Sequence, residues 1–195
     1  SPITCGVIIF GNTLTNATDT RDVGSGITAG VVTNTNTNEV FCSIQTAIND
    51  AQTLNTHIID VDTGYYAENV VVNKQLTLKG NISNPTSKPV VEGSAGETFS
   101  VTVPNVTIDN FVIRFNQTTV TSGIKAATSG SFNNLTIKNN EIEGTANTGV
   151  PIFNSFGIQA GNAGGPNYDQ LNLDSNEIKH IGNSPLGRGV RTLNC

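Results

Sequence analysis

The 195-residue chain has no methionine and no tryptophan, only two histidines and three cysteines, and just 13% of its residues are Asp, Glu, Lys or Arg. Each shortage excludes something. Ten basic residues scattered through a chain of net charge −5 form no cationic stripe, which argues against nucleic acid or an anionic membrane as a partner. No apolar run approaches the roughly 18 residues needed to span a bilayer, and no charged-then-apolar opening resembles a signal peptide. The absence of Met even at position 1 is expected if Ser1 follows a processing boundary, and a secreted or surface origin fits best. Without CxxC spacing or a His/Cys cluster, no thiolate metal site is expected. Cys5, Cys42 and Cys195 cannot all pair within one chain. Cys5 and Cys42 form either a disulfide tying an N-terminal arm to the body or two buried thiols, and Cys195 is left over.

Asn and Thr, 26 of each, fill the space that charge leaves empty. β-Branched Thr suits a pleated face and Asn suits tight left-handed corners, so the composition fits stacked strands rather than a helical bundle. The stretch LTIKNNEI (135–142) repeats as VTIDNFVI (106–113) and LNLDSNEI (171–178), with a partial copy, LTLKGN, at 76–81. In each full copy, apolar residues alternate with polar ones, a polar bend follows, and Ile returns at the eighth place. Starts 29 and 36 residues apart describe a repeat whose unit is one supersecondary turn. The chain therefore reads as a solenoid, in which Asn81, Asn140 and Asn176 share one corner position and Phe111 interrupts their column. These asparagines either bond from turn to turn or merely adopt a left-handed bend; both roles are structural.

Residues 1–40 read as an N-terminal arm: the apolar strand ITCGVIIF (3–10), then a loop or polar edge ending in TNTNTN (33–38). Residues 41–195 read as the solenoid proper, the whole forming one domain. From Ser43 the apolar period changes, with Ile44, Ala47, Ile48 and Ala51 on one face and Ser43 able to cap the first turn. A helix over 43–52 would lie as a lid on the first turn of the stack.

The segments SIQTAINDA (43–51) and IIDVDTGYYAENVVVNKQLTLKGN (58–81) resemble the opening of right-handed parallel β-helix proteins of the pectin-lyase-like superfamily, such as pectin methylesterases and NosD-like periplasmic proteins. The resemblance implies an all-β, right-handed, single-stranded parallel β-helix with three strands per coil, about five coils and a capping helix. It implies an asparagine ladder along the corner column. The third strands would be FSVTV (99–103), GIKA (123–126), GIQA (157–160) and GVR (189–191). Enzymes of that group act on polysaccharides beside this strand, whose outward column would hold Ser100, Thr102, Lys125, Gln159 and Arg191. The face is expected to lack carboxylates, so a lyase's calcium cluster is missing, and SGIKAA (122–127) and NEIEGT (140–145) do not preserve the esterase Gln and Asp.

Elsewhere, Asp60, Asp62 and Glu68 make a weak Ca²⁺ candidate against the plainer reading of solvated carboxylates; no other cofactor is expected. Glu141 and Glu177 share an outward column and look solvated. His57 reads as a strand-edge residue and His180 as a corner residue. Tyr65, Tyr66 and Tyr168 are the available stacking platforms, and sequons stand at Asn16, Asn81, Asn105, Asn116 and Asn134. Two readings follow: a non-catalytic surface module, adhesin, stalk or fibre segment with glycan contacts on Lys125, Gln159 and Arg191, or a carbohydrate-active enzyme or a fragment of one. For the first, head-to-tail self-association or continuation in a longer parent would cover the C-terminal strand edge.

Overall fold

The computed structural model describes residues 30–116, 120–126, 132–145, 155–161, 168–179 and 188–192. Strand is its dominant element, with one short helix, and the strands fall into three sheets of seven, five and five. From Ile58–Val61 onward the chain visits the three sheets in strict rotation. From the second round on, each strand therefore pairs in parallel with the one three places earlier. The connection that parallel pairing demands is supplied by the two intervening strands.

Register confirms the alignment of the repeats. Ile59, Leu78, Ile108, Ile137 and Leu173 form one column of the first sheet. Tyr66, Val91, Ile113, Ile142 and Ile178 form a column of the second. Val70, Phe99, Ile124, Ile158 and Val190 form a column of the third. The first four residues of each column are buried, and with the flanking apolar residues they make one continuous core. At the last strands the burial fades: Leu171, Leu173 and Ile178 are half-buried and Val190 is exposed. In the third sheet Gly123, Gly157 and Gly189 stack, because the second sheet's isoleucines lean on them. A Cβ on Gly157 would lie 2.6 Å from Ile178 Cγ2 and 2.7 Å from the Gly189 carbonyl.

The N-terminal part settles one alternative and corrects one expectation. Of the loop or polar edge expected for the TNTNTN stretch, the edge is found: Val32–Asn34 and Glu39–Phe41 are strands around a turn, Glu39–Phe41 outermost in the first sheet, and Val32–Asn34 pairs antiparallel with Ile58–Val61. Val32 and Asn34 are buried, so the boundary at residue 40 cuts through the first sheet. The helix is also shorter, Ile44–Asn49, with Ser43 as its N-cap. Asp50 ends it by turning extended and accepting the Gln52 N–H at 2.7 Å, which leaves Ala51 exposed. Ile44, Ala47 and Ile48 still bury their stripe against the first strands. The apolar strand 3–10, Cys5, His180 and Cys195 lie outside the described residues. Cys42 is disulfide-bonded, and its partner also lies outside them.

Left-handed residues mark both ends of the repeats in the first sheet. Thr56 and Asn105 stand shortly before their strands, Asn134 and Gln170 lie within Phe132–Lys138 and Tyr168–Asp174 immediately ahead of LTI and LNL, and Asn110, Asn139 and Ser175 follow, all with φ between 52° and 72°. Asn tolerates this conformation with little strain, which explains why the corners are written in Asn.

Candidate functional site

The motif residues that carry the family resemblance hold the lid and the first strands together. Glu68 accepts the Ile44 and Gln45 N–H groups at 2.9 and 3.0 Å, placing a carboxylate on the helix N-terminus. Lys74 donates to the Asp50 and Thr53 carbonyls, both at 2.7 Å, just beyond the helix's other end. Asn69 bonds the Glu97 carbonyl of the next strand at 2.7 Å, and buried Tyr66 donates to the Asp62 carbonyl at 2.9 Å.

Two of the three calcium-candidate carboxylates accept backbone N–H groups in this arrangement. Glu68 is committed to the helix, Asp60 accepts the Ile82 N–H at 2.9 Å, and among the described residues no three His, Cys, Asp or Glu side chains gather. Burial pushes the Asp60 carboxyl above the ordinary carboxylate value, with the nearby Asp62 charge adding to the effect and the Ile82 N–H and Lys79 opposing it. A carboxyl whose folded pKa is raised favours folding below its unfolded value, and that contribution is lost as pH rises through the folded value. Asp60→Asn should therefore gain stability over the parent between about pH 4 and neutrality and lose that advantage below about pH 4. The gain is expected to stay under about 1 kcal/mol at this half-exposed site. Thermal melts of both proteins across that range check the sign.

The acids and bases of the outer faces are arranged in columns. On the first sheet Asp60, Lys79, Asp109, Lys138 and Asp174 stand in register and alternate in sign. Lys138 lies 3.7 Å from Asp109. On the second sheet Glu92, Arg114, Glu143 and Lys179 alternate likewise, with Arg114 3.3 Å from Glu143. Glu141 and Glu177 occupy adjacent strands as the sequence implied, yet they are not merely solvated. Lys179 bridges them at 3.1 and 3.0 Å, and these two carboxylates hold its ammonium above the ordinary lysine value, Glu177 first.

The third sheet carries Val71, Ser100, Lys125, Gln159 and Arg191 in one outward column. One expectation fails here: the face does hold a carboxylate. Thr98 and Phe99 are both buried, which breaks the alternation and brings Glu97 back outward, 2.7 Å from Lys125 Nζ. Arg191 stacks over the Phe156 ring at 5.0 Å, and Ser122 Oγ lies 3.4 Å from Gln159 Oε1. One cation is thus paired and the other stacked. No nucleophile, base and orienting group converge on this face among the described residues.

Of the tyrosines offered for stacking, Tyr66 is buried and Tyr65 donates to Glu92 at 3.1 Å; the Tyr168 side chain lies outside the described residues. His57 is structural: its Nδ1 lies 3.1 Å from buried Asn34 Nδ2 and accepts the Leu54 N–H at 3.3 Å. A recess of about 460 Å³ opens at the corner beside Lys79, Lys88 and Asp109. Its polar lining is tied internally, Lys88 to the Asn139 carbonyl at 2.7 Å and Asp109 to Asn139 Nδ2 at 2.8 Å.

The corner asparagines divide into two roles that the sequence had left as alternatives. Asn140 donates to Asn176 Oδ1 at 3.1 Å and to the Ile108 carbonyl at 2.9 Å, and accepts the Phe111 N–H at 2.9 Å. Asn176 in turn donates to the Ile137 carbonyl at 2.7 Å. The left-handed bend falls one residue earlier, on Asn139 and Ser175. Asn81 adopts the bend itself and bonds Thr63 and Ser87 rather than the column. The sequence reading missed a second column at the opposite corner: Asn134 donates to Asn105 Oδ1 at 2.9 Å, and Asn105 to Gln75 Oε1 at 3.3 Å. Its signal was the polar residue standing immediately before each LTI-type strand.

The described residues thus form three mostly parallel sheets with one short helix and charge-paired outer faces. Over 92 residues, 46% of its length, it is 41% identical to a cell surface glycoprotein of Methanothermus fervidus. The matched segment spans 15% of that relative. No family model and no solved structure matches the chain. Among the described residues no helix is long and apolar enough to cross a membrane.

Proposed function

We propose that the chain is a non-catalytic module of a cell-surface protein, a stalk or adhesive scaffold. Its three sheets are read as the faces of a right-handed parallel β-helix of the pectin-lyase-like kind. The observation that carries the reading is the pairing of charge between neighbouring strands on the outer faces. Carboxylates aligned with cations of the next strand stiffen the stack, whereas hydrolase and lyase chemistry on such a face needs carboxylates gathered toward a substrate. The likeness to a surface glycoprotein supports the location, and the rotation of the chain through three sheets supports the architecture. Glycan contact, where it occurs, is assigned to the column of Lys125, Gln159 and Arg191.

Protease shaving of intact cells that make the parent protein tests the location: the module should be released into the medium, and full protection would refute it. Pectin, polygalacturonate and methyl-pectin, with and without calcium, test the chemistry. No turnover is expected. Release of unsaturated uronides, lost in Lys125→Ala or Arg191→Ala, would establish the enzymatic alternative instead. A glycan array of acidic and neutral polysaccharides, read for the parent and the same two variants, tests the assigned column.

A further inference from the structure

We propose that Asn105 and Asn134 are acceptor sites for N-linked glycans and that Asn81, which carries the same N-x-Ser/Thr signal, is not. In a chain where more than a quarter of the residues are Asn or Thr, sequons arise by composition alone, so the signal by itself selects nothing. The fold separates them. Asn81 is 6% exposed, and its Nδ2 donates twice, to Thr63 Oγ1 at 2.6 Å and to the Ser87 carbonyl at 2.9 Å. Attachment of a sugar replaces one of the two Nδ2 hydrogens, so it would break one of these bonds and force a pyranose into a filled corner.

Asn105 and Asn134 are exposed at the opposite corner and bonded side chain to side chain, and each Nδ2 makes one side-chain bond within the column. One hydrogen remains for the sugar linkage on each. Their Oδ1 atoms survive glycosylation as amide carbonyls, so the bond from Asn134 to Asn105 Oδ1 is preserved. The middle residues of the two signals, Val106 and Leu135, are buried in the core and pin the backbone. The third residues, Thr107 and Thr136, pair side by side on the partly exposed outer face. Asn16 and the side chain of Asn116 lie outside the described residues.

A second observation points the same way. With 13% charged residues, many of them tied in the columns described above, the outer faces have little ionic hydration to keep flat sheet surfaces apart. A glycan on this corner would supply it. The inference deepens the surface reading, which it needs only for the export that brings the chain to a glycosylating enzyme.

The test supplies that export. The full chain, fused to a secretion signal and to a terminal flexible N-x-T tag as internal control, is secreted by an N-glycosylating host and its peptides are analysed by mass spectrometry. Glycan is expected on Asn105, Asn134 or both, since sites on neighbouring strands about 4.8 Å apart crowd each other. Thr107→Val and Thr136→Val should each abolish occupancy at their own site while leaving the melting profile unchanged. Asn81 should be bare. Glycan on Asn81 of the folded product, or bare Asn105 and Asn134 beside an occupied tag, would overturn the proposal. A negative shaving result in native cells would leave this outcome untouched, so the two ideas fail separately.

Discussion

Ile137→Asp is expected to abolish cooperative folding. Ile137 is fully buried, with Ile108 and Leu173 against it in the same column, and that column belongs to the single core shared by the three sheets. A carboxylate there has neither water nor a cation, and even if it takes up a proton the hydroxyl remains in an apolar stack. The penalty, above about 4 kcal/mol, is a large share of the stability of any domain. Ile137→Val, which removes one methyl group from the same place, should cost only about 1 kcal/mol. Circular dichroism melts check both, with the Asp variant showing no transition or only a low, broad one. Leu173→Asp offers a graded control, because Leu173 is only half-buried and a charge there keeps access to water. An Ile137→Asp protein melting at the parent temperature would mean that the column is not where the stability lies.

The columns were legible because strand period and repeat length agree. Once Ile108, Ile137 and Leu173 are aligned, the fourth residue of each repeat reads Lys79, Asp109, Lys138, Asp174, so the alternation of charge was also present in the sequence. It is easily overlooked, because a carboxylate directly after an inward Ile or Leu looks solvent-facing until its neighbour on the next strand is known. Other features resisted for local reasons. Val32–Asn34 was hidden because Asn34 is polar yet buried, satisfied by Thr53, His57 and the Asn36 N–H. Glu97 was assigned no partner because period-two counting fails where Thr98 and Phe99 are buried consecutively. Ala51 looked helical by spacing, but the Asp50 side chain ended the helix first. In each case a side chain bonding to the nearby backbone or to a buried partner overrode the apolar pattern.

The resemblance to polysaccharide-active β-helices rests on residues whose observed work is mechanical. Glu68 caps the lid helix, Asn69 ties the first strand of the third sheet to the next, and Tyr66 fills the core, so a sequence can keep this opening with or without chemistry on its outer faces. This is why the opening speaks to architecture, and why the functional reading had to come from the charge columns.

The Asn140→Ala variant is expected to be the most damaging change available at the corners. Asn140 is 1% exposed, and truncation would leave the Phe111 N–H and the Ile108 carbonyl without their side-chain partner while cutting the link to Asn176. Each buried backbone group left unpaired costs about 1–3 kcal/mol, so a loss of roughly 2–5 kcal/mol follows. Asn140→Asp separates the contributions. It keeps the shape and the oxygen that accepts from Phe111, but replaces the donor with a second oxygen facing the Ile108 carbonyl and Asn176 Oδ1. It should therefore be at least as unstable as the Ala variant at neutral pH and recover in acid as the carboxyl takes up a proton and becomes a donor again. Asn139→Gly, one residue earlier, should be nearly neutral, because Asn139 has φ of 56° and glycine adopts that conformation freely; its exposed side chain loses only the bond to Asp109. Urea unfolding of the three variants decides the matter: equal, small losses at 139 and 140 would reduce the corner to a bend, whereas a large loss confined to 140 makes the amide column a structural element.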